Sequence, residues 1–302
     1  MKKKTTILGI LILVFGLIWY LFIKKYDYVV TFKVKTAPGT IYEGTLDWGE
    51  NLLEADSISS QIVTKTPFSN IAQELKLKDS TLIFDWFYTG INDSVSKVKV
   101  GVIDKKKSFL NRINLPFSSE GVKRIAINKV KNFKNVLEQH LKTHRVKMNG
   151  ISEIPEQFCA YISIESTLET KAQQMISNNS TVMLFLMDNH IEITGKPFLE
   201  VYEWDVQNQK VKYNYCFPIK QSDSLPQNNE VKFKKINSKK ALKATYYGNY
   251  RTSDRAWFTI YDYAIRNDIR IEHTPLEIFY NNPFTGGNEL EWRAEIYMPI
   301  VE

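Results

Sequence analysis

Positions 7–23 read ILGILILVFGLIWYLFI, seventeen residues without a charge. As a helix rising 1.5 Å per residue, this run spans about 26 Å, close to the hydrocarbon thickness of a bilayer. Lys2, Lys3 and Lys4 precede it, Lys24 and Lys25 follow it, and Trp19 and Tyr20 lie near its second boundary. Rings and lysines at the ends of such a run are those of a membrane interface. Leu21 to Lys25 offers no small-x-small cleavage site and no cysteine for a lipid, so the pattern predicts an uncleaved single-pass anchor over residues 1–25. The lysine count, three before and two after, favours a short cytoplasmic tail with the bulk of the chain extracytoplasmic.

Beyond the anchor the apolar period changes. Tyr28 to Lys35 alternates and reads as a strand, Thr36-Ala-Pro-Gly39 breaks it, and Thr40 to Trp48 reads as a short helix. Strands are predicted at Gln61–Thr66, Ala72–Leu77, Thr81–Tyr88 and Val95–Ile103, with a turn at Asp79-Ser80. Ser118-Ser119-Glu120 opens a helix to about His144, whose Ile125, Val130, Phe133, Val136, Leu137 and Leu141 recur every three or four residues. Its lysines and Arg124 form a solvated outer face. Asn149-Gly150 marks a boundary, giving an α+β domain at 26–145 and a second domain at 150–302.

The second part repeats itself. Tyr213 to Ile219 matches Ala294 to Ile300, and Pro197 to Tyr202 matches Pro275 to Phe279. Each half opens with a strand (Gln157–Ile164, Lys240–Tyr246) and continues with a helix (near Leu168–Ile176 and Ser253–Ile265). Each closes in strands, and a polar linker at 221–229 joins the halves. Two β-α-β-β units of this size share one sheet, because neither buries its apolar face alone.

Composition narrows the chemistry. At about 100–200 residues per domain, 302 residues make two domains. An apolar fraction of 43% with 24% charged residues describes a folding chain, and 13% aromatics supply cores and ring-lined pockets. Two cysteines, Cys159 and Cys216, exclude a disulfide scaffold and a Cys-based zinc site. Five lysines beside the anchor account for most of the net charge of +7, so no nucleic-acid partner is expected. His140 and His144 are four apart but lack a His-Glu-x-x-His pattern and read as surface residues. No nucleophile elbow or phosphate-cradling loop is present. No metal and no cofactor is expected.

Four pieces in order, Tyr247-Gly-Asn-Tyr250, Trp257 with its helix, Leu276-Glu-Ile-Phe-Tyr-Asn-Asn-Pro283 and Glu295-Ile-Tyr-Met-Pro-Ile300, resemble the GyrI-like small-molecule-binding domain, the effector-binding domain of bacterial transcription activators. The resemblance implies a duplicated SHS2-type fold around a cleft that takes hydrophobic, often cationic molecules beside an acidic residue. The helix-turn-helix that precedes this domain in regulators is not found here. Residues 26–145 resemble, more loosely, the START/SRPBCC helix-grip superfamily, in which a long helix closes a sheet over a cavity.

The resemblance makes Glu295 the central candidate, with Tyr297 on the same strand face, Trp257 and Tyr261 on one helix face, and Tyr247 and Tyr250 flanking a turn. A carboxylate among rings attracts a lipophilic cation. The plain alternative is that Glu295 pairs with Arg293 or Lys243 on a solvated face. Three functions stay open: a membrane-anchored binder of a hydrophobic or cationic small molecule, a hydrolase of lipophilic electrophiles with Glu295 as general base, and an interaction protein with a vestigial cleft. The sequence names no protein partner.

Overall fold

The structure, a computed structural model, describes residues 2–301 except 56–58, 78–79, 115–120 and 223. The turn expected at Asp79-Ser80 and the helix opening expected at Ser118–Glu120 therefore fall partly or wholly outside the described residues. The chain divides into two compact units. One comprises Met1–Lys35, Ile41–Thr89 and Ser96–Glu138; the other comprises Thr36–Thr40, Gly90–Val95 and Gln139–Glu302.

The first unit opens with α1 (Lys2–Ile18), which continues through a π-helical turn at Trp19–Ile23. No residue of Lys4–Ile23 is fully buried, and by length and composition the segment suffices to cross a membrane. A five-stranded sheet follows, built from β1 (Tyr28–Val34), β2 (Ser59–Thr66), β3 (Asn70–Lys76), β4 (Thr81–Asn92) and β5 (Val95–Asp104) in the order β1-β5-β4-β3-β2. Three helices accompany it: α2 (Pro38–Ala55), α3 (Ser108–Asn114) and α4 (Val122–His140). Along α4, Val122, Ala126, Val130, Phe133 and Leu137 are buried at steps of three and four; of the stripe expected from the sequence, Val130, Phe133 and Leu137 belong to it, Ile125 and Leu141 are half-buried, and Val136 is exposed. Trp48 packs edge-on against Trp86 and Phe133 with centroids 5.8 and 5.6 Å away, and its Nε1 donates to Asn132 Oδ1 at 2.9 Å. The helix α3 has no counterpart in the sequence reading.

The second unit carries one eight-stranded sheet in the order β10-β7-β9-β8-β12-β13-β11-β6, with every neighbouring pair antiparallel. Its strands are β6 (His144–Glu153), β7 (Gln157–Thr167), β8 (Phe198–Asp205), β9 (Lys210–Pro218), β10 (Lys232–Ile236), β11 (Lys240–Gly248), β12 (Leu276–Phe279) and β13 (Arg293–Pro299). Helix α5 (Lys171–Asp188) follows β7, and α6 (Arg255–Arg266) follows β11. The strand–helix–strand–strand order thus occurs twice, and the copies meet at β8 and β12. Each copy gains an edge strand that the sequence reading missed, β10 beside β7 and β6 beside β11. Asn149-Gly150 is corrected from a boundary to a bulge inside β6: Gly150 takes a φ of +85°, and the Asn149 Oδ1 accepts from the Thr245 hydroxyl at 2.8 Å. His144 is likewise buried rather than superficial, its ring stacked 5.9 Å from that of Tyr246.

Candidate functional site

The period of the sheet sorts the candidate residues. On β13, Ala294, Ile296 and Met298 point one way and are fully buried. Arg293, Glu295 and Tyr297 point the other way, together with their ladder partners Tyr247, Thr245 and Lys243. Glu295 pairs with Lys243 at 3.0 Å and accepts from the hydroxyls of Tyr297 and Tyr280 at 2.9 Å each. Burial pushes its carboxyl upward, but these three donors and the Lys243 charge hold it below the ordinary carboxylate range. A carboxylate so held is ionised and weakly basic at neutral pH. Arg293 instead lies over the Tyr280 ring, 3.8 Å from its centroid. The other half mirrors the arrangement. Asn214, the counterpart of Glu295, donates to Glu200 at 2.8 Å, Lys234 pairs with Glu200, and Lys234 lies 4.9 Å over the Tyr161 ring as Lys243 lies 5.0 Å over Tyr297.

A cavity of about 620 Å³ opens on the opposite face, the one that carries the helices. One helical stripe of α5, Ala172, Met175, Ile176, Asn179 and Met183, forms its first wall. Tyr215 and Phe217 of β9, centroids 4.9 Å apart, form its floor beside Ile193 and Pro197. The third wall is aromatic: Tyr250 stands 4.9 Å from Phe279 and 5.9 Å from Trp292, with Tyr280 and Phe284 adjoining. The Tyr250 hydroxyl donates to the Arg293 carbonyl at 2.9 Å and accepts from the Asn281 N–H at 3.0 Å, and burial pushes it up to about 12. Charged side chains of the lining are Lys196, Arg251 and Glu289, all exposed at the rim.

The six candidates therefore do not form one cluster. Tyr250 lines the cavity. Glu295, Tyr297 and Tyr247 lie on the opposite face of the sheet and are absent from the lining; Tyr280 bridges the two places, because it lines the cavity and donates to Glu295. Tyr247 is covered by the Arg145 guanidinium at 4.3 Å. Tyr261 packs edge-on against His273 at 5.3 Å. Trp257 is wholly buried, 5.1 Å from Trp204.

Trp257 leads to residues that the sequence reading did not single out. Its indole N–H donates to Glu277, a carboxylate that is 0% exposed on β12. Lys171 Nζ, equally buried, stands 3.1 Å from Glu277 Oε1, and the Ser253 hydroxyl donates to Glu277 Oε2 at 2.8 Å. The signal was present: Glu277 is a lone carboxylate inside an apolar strand, and Lys171 is a cation at a helix N-terminus, where the macrodipole opposes it. They are 106 positions apart in sequence, so nothing local joins them.

Residues 143–301 match the GyrI-like small molecule binding domain, and the chain belongs to this family. Among solved structures, the chain is similar to the C-terminal domain of EcmrR, at 16% identity with 53% of this chain and 98% of that chain covered and a TM-score of 0.42. It is similar to a hydrolase from Listeria innocua at 8% identity, covering 54% and 98% with a TM-score of 0.35. It is also similar to SAV2435 bound to tetraphenylphosphonium at 11% identity, covering 51% and 94% with a TM-score of 0.36. No curated protein matches the chain. Small-molecule binding is what the family implies for this domain.

Proposed function

We propose that the chain is a membrane-anchored receptor for a lipophilic small molecule, which it holds in the cavity between α5, β9 and the Tyr250–Phe279–Trp292 wall. The observation that carries this reading is the cavity itself. Its 620 Å³ falls within the usual range for ligand pockets, and its walls are rings and aliphatic chains with a few amides. A purely structural role would leave no reason to keep such a space unfilled. Glu295 enters through Tyr280, as the group that fixes one ring of the wall. The hydrolase reading finds less support, because a carboxylate held low by three donors is a poor general base.

In the same reading, residues 7–23 cross the bilayer with the folded bulk extracytoplasmic, and residues 26–145 form a helix-grip unit closed by α4. Packed rings at Trp48, Trp86 and Phe133 occupy the space under that helix, which supports placing the ligand in the second domain.

The test is a titration of the full chain in detergent with Nile red. Saturable binding is expected, and Ala172→Phe, which projects a ring from α5 into the cavity, weakens it at least about tenfold. Absence of saturable binding, or indifference to Ala172→Phe in a folded variant, overturns the proposal.

A further inference from the structure

A buried glutamate beside a tryptophan is a place where a lipophilic cation would be held, by charge and by the ring face together. Here that place is taken by the chain's own side chain. Lys171 Nζ lies 4.5 Å above the Trp257 ring, 3.1 Å from Glu277 and 2.9 Å from the Ser253 hydroxyl. Lys171 and Glu277 side chains are 1% and 0% exposed, so water does not share in their neutralisation. A buried pair of this kind is tightly held, since removing either partner strands the other in a low-dielectric interior.

The pair adjoins the cavity through its chain neighbours. Ala172, next to Lys171, and Phe279, two along β12 from Glu277, both line it, as does Tyr250, whose carbonyl lies 3.0 Å from the Ser253 hydroxyl. The interior walls of the cavity carry no charged side chain, and the Lys171–Glu277 pair lies buried behind them. Its rim carries Lys196 and Arg251 against Glu289, and the Glu289 carboxylate already accepts from Asn249 at 2.7 Å. A cation entering the cavity thus meets no unneutralised carboxylate in the interior and two cations at the mouth.

We propose that Lys171 is a built-in counter-ion which selects uncharged lipophilic ligands and rejects lipophilic cations. The inference rests on the cavity being the ligand site and names the class of ligand that the site takes.

The test uses the full chain in detergent and a nearly isosteric pair of probes, uncharged triphenylphosphine oxide and the methyltriphenylphosphonium cation, with binding read by calorimetry. Wild type is expected to favour the oxide at least about tenfold. Lys171→Met, which frees the Glu277 carboxylate, is expected to shift that ratio toward the phosphonium by about tenfold or more. The double variant Lys171→Met, Glu277→Gln is expected to restore the preference for the oxide. Should Lys171→Met fail to fold, Glu277→Gln alone carries the test: the unpaired lysine then lowers phosphonium binding relative to the oxide. Equal wild-type affinity for both probes overturns the inference, and so does a folded variant with an unchanged ratio. Oxide binding persists in both of those outcomes, so they leave the cavity reading standing; failure of wild type to bind either probe or Nile red overturns the cavity reading itself.

Discussion

At the scale of single residues, burial decides what the titratable groups do. Burial is the main cause that lowers the His144 imidazole to about 4; the positive charges of His140 and Arg255 add to it, while Asp254 opposes them. His140 moves in the same direction for the same reason. The unfolded chain takes up these protons near the ordinary value of 6.5, whereas the folded chain refuses the one at His144 until about pH 4. Between those values the unfolded state binds more protons, so stability present above about pH 6.5 is lost as the pH falls. For His144 the loss reaches about 3 kcal/mol at most. Urea unfolding at pH 7 and pH 4.5 measures it. His144→Phe, which keeps a ring against Tyr246, is expected to show the shallower dependence, with His140 supplying the remainder; an unaltered slope would count against this account. The candidate residues show how little of a site is legible at this scale. Tyr250 is a candidate through its turn beside Tyr247, whereas its wall partners Phe279 and Trp292 are distant in sequence. Glu295 is placed in the cleft only by the family resemblance, since alternation gives two faces without saying which one carries the helices. Lys171 and Glu277 each stand out singly in the sequence, but their pairing does not, since it depends on the whole sheet.

At the scale of elements, the short helix α3 presents an apolar surface beside the end of the predicted anchor. Phe109, Leu110 and Ile113 are exposed, and Phe109 meets Phe22 at 5.6 Å. Arg112 fastens the two elements: its Nε pairs with the buried Asp27 at 2.8 Å and its Nη1 donates to the Leu21 carbonyl at 2.9 Å. Lys106 and Lys107 stand just before the helix, exposed, where anionic headgroups would lie. If residues 7–23 cross a bilayer, α3 rests in its interface. Leu110→Cys carrying an environment-sensitive dye, in vesicles of the full chain, should emit to the blue and be quenched by shallow lipid-borne quenchers; Cys159 and Cys216 are buried and free and do not compete for the label. Emission unchanged from that in water defeats the placement. Strands with a buried face were readable from alternation, as β4 and β5 show. β6 and β10 were not, because edge strands such as Lys232-Phe-Lys-Lys-Ile236 carry the charges that protect an edge and so resemble linkers.

At the scale of the whole chain, the duplication was readable because both copies keep the same strand ends, while the partition of charge between the two sheet faces was not. A ligand that binds only the folded second unit stabilises it by mass action. Nile red at 100 times its dissociation constant should therefore raise the stability of that unit by about 2.7 kcal/mol, read as a higher midpoint in thermal unfolding of the full chain. A midpoint that does not move with ligand concentration would contradict specific binding.

The two copies of the repeat are stitched at their centre by a short ladder: Leu276 with Glu200, Glu277 with Leu199, and Ile278 with Phe198. β12, at four residues, is the shortest strand among the described residues. The cavity draws α5 and β9 from one side of this seam and Tyr250, Phe279 and Trp292 from the other. The Lys171–Glu277 bond crosses from the first copy to the second at the same place. Any separation of the two copies along this seam would therefore widen the cavity and stretch a buried ion pair together.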